Sequence, residues 1–352
     1  MNPQAQVCPR CGADGNSGQI SLHSQRDQRY RCRTCKRTFV ETSSTALYRL
    51  KKPELFATVV SLLAHGCPPQ AVMVTYGLSD KTVRDWQRRA GMHCEQVHAQ
   101  TVLQRQWDLQ HIQADELKVT TQAGVVWVAL VLMVSTRLWL GGVVSATRGK
   151  DLIRACLHYA RHCALCRPLL LAVDGLNMYV KACQQVFRTR ARLPGTPRAR
   201  WFVWPEVVVT QVVKKRAGKR GAIERVVAQG TAAHAARLRQ QSGGGRQINS
   251  AFIERLNATF RQRLAPLHRR TRAQARLATT LTQALFLHGC VYNFCTPHSS
   301  LALALDLPRK RRRWVQRTPA MVAGLTDHRW TVQELLCFKL RRGVSCPSRY
   351  ST

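Results

Sequence analysis

Acidic residues are scarce in this chain. Its 352 residues include 55 Lys and Arg but only 18 Asp and Glu, which gives a formal net charge of +37. The cations are spread along the whole chain, and their excess is far larger than solubility requires. We therefore expect a polyanionic partner. Double-stranded DNA fits best, because its phosphates offer many cations a contact at once and release condensed counterions.

Long apolar runs are also missing. The longest, VVWVALVLMVS at 125–135, is too short to cross a bilayer and predicts a buried strand and no membrane partner. The first ten residues, MNPQAQVCPR, show no basic segment followed by an apolar stretch, so we expect no signal peptide and a cytoplasmic protein. The length favours two or three folding units, each with its own core.

Cysteine, by contrast, is plentiful, with 14 residues. Because the sequence shows no secretion signal, we expect reduced thiols and metal ligands rather than disulfides. Two CxxC motifs, CPRC and CRTC, are separated by 20 residues. Such a pair can surround one zinc ion with four thiolates and predicts a structural Zn²⁺ site, whose ligands are Cys8, Cys11, Cys32 and Cys35. The residues between the motifs are too few and too polar to form a core, so metal binding is expected to supply the folding free energy. Free surface thiols are the alternative.

The segment from about Lys52 to Gly91 predicts three helices. Pro53 suits the first turn of a helix that ends near Gly66, Gly77 suits a turn, and Ser79 suits the cap of a third helix. This pattern is typical of a helix-turn-helix, in which a cation-rich helix enters the major groove. The residues expected on its exposed face are Lys81, Thr82, Arg84, Arg88 and Arg89. A plain three-helix packing module is the alternative.

Strand patterns dominate after residue 107. The stretches LQHIQADELKV, VVWVALVLMV and RLWLGGVVSA predict an antiparallel meander. A segment of helical period follows, and then RPLLLAVDG reads as a fully buried strand. A further helical stretch, the strand-like EVVVTQVVKKR and later helices complete the order β-β-β-α-β-α-β-α. This order predicts a mixed α/β domain.

Two aspartates lie at positions where a carboxylate with only a structural role costs folding free energy. Asp115 lies in the first strand region and Asp174 ends the buried strand. A carboxylate beside a buried strand costs several kcal/mol unless it is paired or binds metal. Asp174 also has a simpler alternative, because it can cap the turn at Gly175. Glu116 is expected to point to the other face of its strand, so we leave it out of the acidic site.

A third acid, Glu254, lies in INSAFIERLNATFRQRL at 248–264. No residue three or four positions away is basic, so the usual local ion pair is not expected, although a long-range one stays possible. The sharper interpretation is that Glu254 faces Asp115 and Asp174. Three carboxylates of this kind can hold two Mg²⁺ ions, about 3.5 to 4 Å apart, on a phosphodiester.

Taken in order, these motifs resemble those of bacterial DDE-type insertion-sequence transposases, whose catalytic fold is ribonuclease-H-like and shared with retroviral integrases. The resemblance spans nearly the whole chain and also includes YNFCTPHSSL at 292–301 and TPAMVAGLTDHRWT at 318–331. It implies a multidomain α/β protein with four parts. These are a zinc ribbon at 1–46, a helix-turn-helix domain at 47–100, a ribonuclease-H-like domain at 107–300 with a mixed β-sheet flanked by helices, and a basic extension at 301–352.

The resemblance also implies an activity. Such an enzyme hydrolyses the 3′ end of its element and joins that end to target DNA, with Mg²⁺ or Mn²⁺, as a homo-oligomer in a synaptic complex on the bacterial nucleoid. Asp115 would bridge the two metal ions, and Asp174 and Glu254 would complete their sites. Asn257 and Arg261 are expected to contact DNA or to support the acidic residues.

Two other functions remain compatible with the sequence. One is a DNA-binding regulator without catalysis, in which the α/β region only oligomerises. The other is a structure-specific nuclease of the same catalytic fold, which cleaves junctions without joining ends. The basic stretch RKRRRW at 309–314 is either a phosphate-contacting loop or solvated charge.

Overall fold

The computed structural model describes residues 2–215, 222–268, 274–275, 277–305 and 313–341. Most of the basic stretch at 309–314 lies outside these residues. Within them the chain is a mixed α/β protein with ten α-helices and a six-stranded mixed sheet. None of the described helices is both long and apolar enough to cross a membrane.

The first segment is a small antiparallel sheet with its own core. Its strands are β1 (Ile20–Ser24), β2 (Arg29–Cys32) and β3 (Thr38–Val40). Tyr30 and Phe39 stack at 5.7 Å between ring centroids, and Ile20 packs with them beside Cys8 and Cys32. The buried core of this segment has only five residues, two of which are cysteines of the predicted metal site.

Three helices follow, as predicted, with the predicted caps. They are α1 (Pro53–Ala64), α2 (Pro69–Tyr76) and α3 (Asp80–Thr101). Gly77 ends α2 in the left-handed conformation that glycine adopts without strain, at φ 61°. The Ser79 side chain accepts a hydrogen bond from the backbone N–H of Thr82 and so caps α3.

Helix α3 is much longer than a helix-turn-helix requires. Its second half is buried at Ala90, Gly91 and Cys94, where it packs against α8 (Ala278–Cys290). A Cβ on Gly91 would lie 2.3 Å from the Gln283 carbonyl oxygen, so only glycine allows this close approach. One helix therefore belongs to both the three-helix segment and the α/β core.

The central sheet contains the predicted meander and two parallel strands. The strands of the region are β4 (His111–Thr121), β5 (Gly124–Met133), β6 (Trp139–Ser145), β7 (Leu169–Asp174), β8 (Arg188–Ala191), β9 (Arg200–Val203), β10 (Val207–Lys215) and β11 (Ala222–Gln229). The order in the sheet is β11-β10-β7-β4-β5-β6. Strands β4, β5 and β6 are antiparallel, whereas β7 runs parallel to both β4 and β10. Strands β8 and β9 form a separate hairpin.

Helices cover both faces of this sheet. They are α4 (Lys150–His162), α5 (Met178–Val186), α6 (Ala232–Gln241), α7 (Ala251–Arg263) and α8. Gly141 packs against Tyr159 of α4, whereas its neighbour Gly142 packs against Leu285 of α8. Since successive strand residues point to opposite faces, α4 and α8 lie on opposite sides of the sheet.

The C-terminal segment returns to the N-terminal helices. It contains a π-helical turn (Val291–Cys295), strands β12 (Leu303–Leu305) and β13 (Arg313–Val315), and helices α9 (Pro319–Val322) and α10 (Val332–Cys337). Leu335 and Leu336 of α10 belong to the main hydrophobic core, and the Leu336 carbonyl accepts from the Ala46 N–H. The C-terminal helices of the predicted basic extension are thus packed against the core, whereas its β12–β13 hairpin is largely exposed. The predicted domain boundaries themselves stay predictions.

Candidate active site

Two strand ends bring the predicted aspartates together. Strand β4 pairs with β7 only from His111 to Gln113, yet both strands continue beyond that pairing. The gap that opens between them receives Asp115 from β4 and Asp174 from β7. A side chain from either strand can bend into this gap because no backbone ladder fills it.

Glu116 joins the two aspartates. One carboxylate oxygen from each of Asp115, Glu116 and Asp174 lies within 4.8 Å of the others. The sequence correctly indicated that Glu116 leaves its strand on the other side, since it contacts α5 while Asp115 contacts α7. Glu116 nevertheless lies close to both aspartates, because the open gap beside β4 lets both carboxylates approach Asp174. That it takes no part in metal binding stays a prediction.

Glu116 differs from its neighbours in being fully hydrogen-bonded. Its Oε1 accepts from the Arg148 Nε at 2.9 Å, and its Oε2 accepts from the Tyr179 hydroxyl at 2.7 Å. The Glu116 side chain is only 1% exposed. Its charge is therefore already paired, and its contacts fix the Arg148 guanidinium at the cleft.

Asp115 is half-buried among other acids and has few compensating contacts. Burial, followed by the nearby charges of Glu116 and Asp174, raises the pKa of Asp115 to about 7. Its Oδ1 accepts from the Glu116 N–H at 2.9 Å and its Oδ2 from the Asn257 amide at 2.7 Å. Without a cation, the ionised form of Asp115 is thus a costly state of the folded protein.

Asn257 supports the carboxylate instead of reaching outward. Of its two expected roles, contact with DNA or support of the acidic residues, its position fits the second, because it is buried, at 2% exposure, and donates to Asp115. Its own Oδ1 is buried without a hydrogen-bond partner among the described residues. Arg261, the other predicted DNA contact on α7, is half-buried near the end of the helix.

Asp174 combines the two roles that the sequence left open. Its Oδ1 accepts from the Leu176 N–H at 3.1 Å, which is the turn-capping contact, while its carboxylate still lies beside Asp115. Burial and the Glu116 charge raise the pKa of Asp174. The cap uses one oxygen and leaves the second for another ligand.

Glu254 lines the same cleft but lies outside the close group. The cleft has a volume of about 430 Å³ and also contains Arg148 and Lys214. The Lys214 Nζ lies 3.0 Å from the Glu254 Oε1, and the Ser250 hydroxyl donates to the same oxygen at 2.8 Å. Burial opposes the charge on Glu254, but these two contacts outweigh it and lower its pKa. The possible long-range ion pair is therefore present, supplied by β10 rather than by α7.

A residue missed by the sequence reasoning sets the position of α7. Gln113 is fully buried, and its Oε1 accepts from the N–H groups of Phe252 and Ile253 at 3.1 and 3.0 Å. Its Nε2 donates to the Asn249 carbonyl at 2.7 Å. Gln113 stands two residues before Asp115, on the same face of β4, and this polar alternation was its only signal.

The donor set of the cleft suits a hard divalent cation. Carboxylate oxygens are the ligands that Mg²⁺ and Mn²⁺ prefer, and Asp115 and Asp174 are raised in pKa where a cation would stabilise their charged forms. The acidic group could therefore hold a metal ion, with Glu254 at the margin of the same cleft.

The four predicted zinc ligands also meet at one point. The sulfurs of Cys8 and Cys35 are 3.6 Å apart, as are those of Cys11 and Cys32. Tetrahedral ligands at about 2.3 Å from one zinc ion would be separated by about 3.8 Å. Burial opposes ionisation of Cys32, but hydrogen bonds from the Cys35 backbone and the Cys11 thiol lower its pKa to about 7. The group could hold one metal ion such as zinc.

The predicted DNA-facing residues of α3 divide into two groups. Lys81, Arg84 and Arg88 are exposed and form local surface pairs with Asp80 and Asp85. Such pairs contribute about 0 to 1 kcal/mol, so a phosphate can replace them at little cost. The Thr82 hydroxyl lies 2.9 Å from the Ser79 hydroxyl at the cap.

Arg89 does not belong to the exposed surface. Its Nε donates to the Ala46 carbonyl at 2.6 Å, and its guanidinium also donates to the Tyr48 carbonyl. Burial lowers the pKa of Arg89. We expected this residue to face DNA. Its side chain instead binds the segment that precedes α1.

Comparisons with family models and with curated proteins found no relative of this chain. No family model matches the chain, and no curated protein is significantly similar to it.

Proposed function

We propose that this protein is a DNA transposase of the DDE class. It would bind the ends of an insertion sequence and catalyse metal-dependent cleavage of the 3′ end and strand transfer into target DNA. One observation carries the proposal: Asp115, Glu116 and Asp174 meet between two neighbouring strands, in a cleft that also contains Glu254.

The topology supports the same reading. The strand order β10-β7-β4-β5-β6, with three antiparallel strands followed by two parallel ones, is that expected of a ribonuclease-H-like domain. Strand β11 and the β8–β9 hairpin are additions to this pattern. The acids come from the first strand, the following parallel strand and a later helix, in the order Asp, Asp, Glu.

Some residues of the cleft would bind a cation, and others would bind a phosphate group. Asp115 and Asp174 would bind a divalent ion directly, with Glu254 released from Lys214 to assist. When bound, Mg²⁺ or Mn²⁺ ions supply Lewis-acid stabilisation for the attacking and leaving oxygens of a phosphodiester. Asn257 would orient the Asp115 carboxylate, and Arg148 and Lys214 would contact phosphate oxygens at the rim.

The remainder of the chain supports a DNA substrate. The exposed cations of α3 follow a glycine turn and a short helix, as in helix-turn-helix proteins, and the formal charge of +37 suits an extended phosphate surface. A structural zinc ion on the four cysteines would stabilise the N-terminal sheet. Oligomerisation and the nucleoid location remain parts of the same proposal.

The experiment begins with the DNA that flanks the reading frame. Inverted repeats at its borders would supply the substrate, which is then labelled at its 3′ end and incubated with a target plasmid and Mg²⁺. We expect joined products with the wild type and none with Asp115→Asn or Asp174→Asn, while all three proteins bind the repeats. Asp151→Asn, which changes an exposed acid on α4, is the control and should retain joining.

Other outcomes would replace the proposal. Cleavage without joining would favour a structure-specific nuclease. Binding to the repeats without any metal-dependent reaction would favour a regulator. Unchanged joining by Asp115→Asn would exclude the acidic group as the catalytic site.

A further inference from the structure

A second polar cluster lies behind helix α7. It is formed by side chains from the β5–β6 turn, from α7 and from the segment after α8, namely Arg137, Arg255, Arg263, Tyr292 and His298. We call it the α7 cationic cluster. Arg263 lies nine residues after Glu254, which at 3.6 residues per turn places it about 180° around the helix from the acidic cleft. The cluster is thus a separate feature from the proposed active site.

Several contacts fix members of the cluster against neighbouring residues. The Arg137 guanidinium stacks on the Phe252 ring at 3.8 Å, and the Arg263 Nη1 donates to the Thr296 hydroxyl at 3.0 Å. Asn293, next to Tyr292, exchanges two hydrogen bonds of 2.9 Å with the backbone of Trp139. This pairing fixes the π-helical turn against the turn that carries Arg137.

The cluster has cations but no acid. Burial raises the pKa of the Tyr292 hydroxyl, and the charges of Arg137, Arg263 and Arg255 oppose that rise. Burial and the charges of Arg137 and Arg255 lower the pKa of His298. Among the described residues, no carboxylate forms an ion pair with any of these three arginines.

Such an arrangement is costly for a protein that binds nothing there. Arg137 and Arg263 are half-buried, and burial lowers the pKa of each. The Arg137 Nε is buried without a hydrogen-bond partner among the described residues, and its backbone adopts φ 60°, which is strained for a residue with a side chain. Strained residues and π-helical turns both concentrate at functional sites.

We propose that the α7 cationic cluster binds a phosphate group of a nucleic-acid strand. Guanidinium groups match phosphate oxygens in shape and charge. The Arg137 guanidinium already donates to the Val134 carbonyl, and an anion would give its buried Nε the partner that it lacks among the described residues. The Tyr292 hydroxyl and the His298 imidazole can add neutral hydrogen bonds. This inference rests on the proposed function only in naming DNA as the source of the phosphate.

The test uses the full chain with a fluorescent DNA duplex, without Mg²⁺ or Mn²⁺, so that it does not depend on catalysis. The variant is Arg255→Gln, because Arg255 is the exposed member of the cluster and its loss should not disturb folding. The control is Arg237→Gln, which removes the same charge from the surface of α6. Affinity is measured by anisotropy over a range of salt concentrations.

We expect Arg255→Gln to weaken binding and to reduce the slope of log affinity against log salt by about 1, the value for one lost phosphate contact. Arg237→Gln should keep the wild-type slope. Equal slopes for Arg255→Gln and wild type would overturn the proposal.

A second measurement reports on the cluster directly. A bound anion stabilises imidazolium, so DNA should raise the pKa of His298, followed by NMR of its ring C–H, in the wild type and not in Arg255→Gln. A rise caused by inorganic phosphate but not by DNA would overturn the assignment to nucleic acid. No rise with either probe would overturn the site itself. Each of these results can be obtained whether or not strand transfer is observed.

Discussion

Carboxylates a few ångströms apart have different physical states in this cleft. Glu116 is buried and fully paired, Glu254 is half-exposed with Lys214 beside it, and Asp115 is half-buried with only two donors. Their surroundings, and not their residue type, decide which of them needs a cation. At the level of single residues, Asp115 is therefore the place where the metal-free protein stores unfavourable electrostatic energy.

Replacing that charge should stabilise the metal-free protein. The pKa of Asp115 is about 7 in the fold and near 4 in an unfolded chain, so the folded state binds the extra proton between these values. Stability therefore falls as the pH rises from about 4 to about 7. Asp115→Asn removes the charge and therefore this loss of stability. The neutral amide can still form a hydrogen bond with Asn257, whose Oδ1 has no partner among the described residues. We expect a higher Tm than wild type at pH 8 and a smaller difference at pH 5.

Thermal melts without divalent ions test this, and Asp151→Asn serves as the exposed control whose pH profile should match wild type. Adding Mg²⁺ at pH 8 should raise the Tm of the wild type and leave Asp115→Asn unchanged, because binding to the folded state alone stabilises it. An Asp115→Asn protein that melts below wild type at pH 8 would contradict the electrostatic account.

Glu116→Gln should have the opposite effect. The substitution removes the charge that Arg148 and Tyr179 bond to, and the side chain is almost fully buried. We expect a loss of about 1 to 3 kcal/mol in the free energy of unfolding, measured with urea at pH 7. Tyr179→Phe, which removes one of the two partners, should cost less, about 1 kcal/mol. A stabilised Glu116→Gln would show that the carboxylate is strained rather than paired.

The sequence located some of these residues and could not locate others. Asp115 and Asp174 were found because an acid within or after an apolar strand is costly wherever the strand lies. Lys214 and Arg148 were missed because each meets its partner across the fold, 40 and 32 residues away. The closeness of Glu116 to Asp174 was not predicted, because strand alternation alone does not show where the neighbouring strand ends.

At the scale of elements, local signals predicted the three helices well, and tertiary packing decided the rest. Gly77 and Ser79 mark the turn and cap through their own backbone chemistry. The continuation of α3 to Thr101 depends instead on its burial against α8, and no local sequence pattern predicts that contact. Strand β11 is an edge strand in which four residues are exposed and four are half-buried, and it was missed because it lacks a buried apolar face.

The N-terminal sheet is the element whose stability should depend on metal. We expect one zinc ion per chain in protein purified without chelator, by elemental analysis, since the four sulfurs meet at tetrahedral spacing. Cys11→Ser should lose that zinc and expose the small sheet to proteolysis, because the metal supplies most of its folding free energy. Cys67→Ser, a thiol outside the group, should retain the zinc. Full zinc content in Cys11→Ser would exclude this cysteine as a ligand.

At the scale of the whole molecule, one hydrophobic core joins the helical segment, the sheet and the C-terminal helices. Its members run from Ala46 to Leu336, and the C-terminal segment meets the residues before α1 where the Leu340 N–H donates to the Ser44 carbonyl at 3.0 Å. Helix α3 crosses this core with a length of about 33 Å. The cations at its start therefore have a position relative to the acidic cleft that is set by packing.

This shared core predicts cooperative unfolding. Leu335 of α10 is fully buried, and its carbonyl oxygen lies 3.1 Å from the Nε2 of His93 on α3. Leu335→Ala should cost about 2 to 5 kcal/mol and lower the stability of the sheet along with that of α10. Tryptophan fluorescence and far-ultraviolet circular dichroism should then report one coincident transition, shifted to lower urea. Leu277→Ala, which truncates a side chain that is 61% exposed, should leave the midpoint within experimental error. If the C-terminal helices alone melted in Leu335→Ala, the segment would be an independent unit and the fixed placement of α3 would not follow.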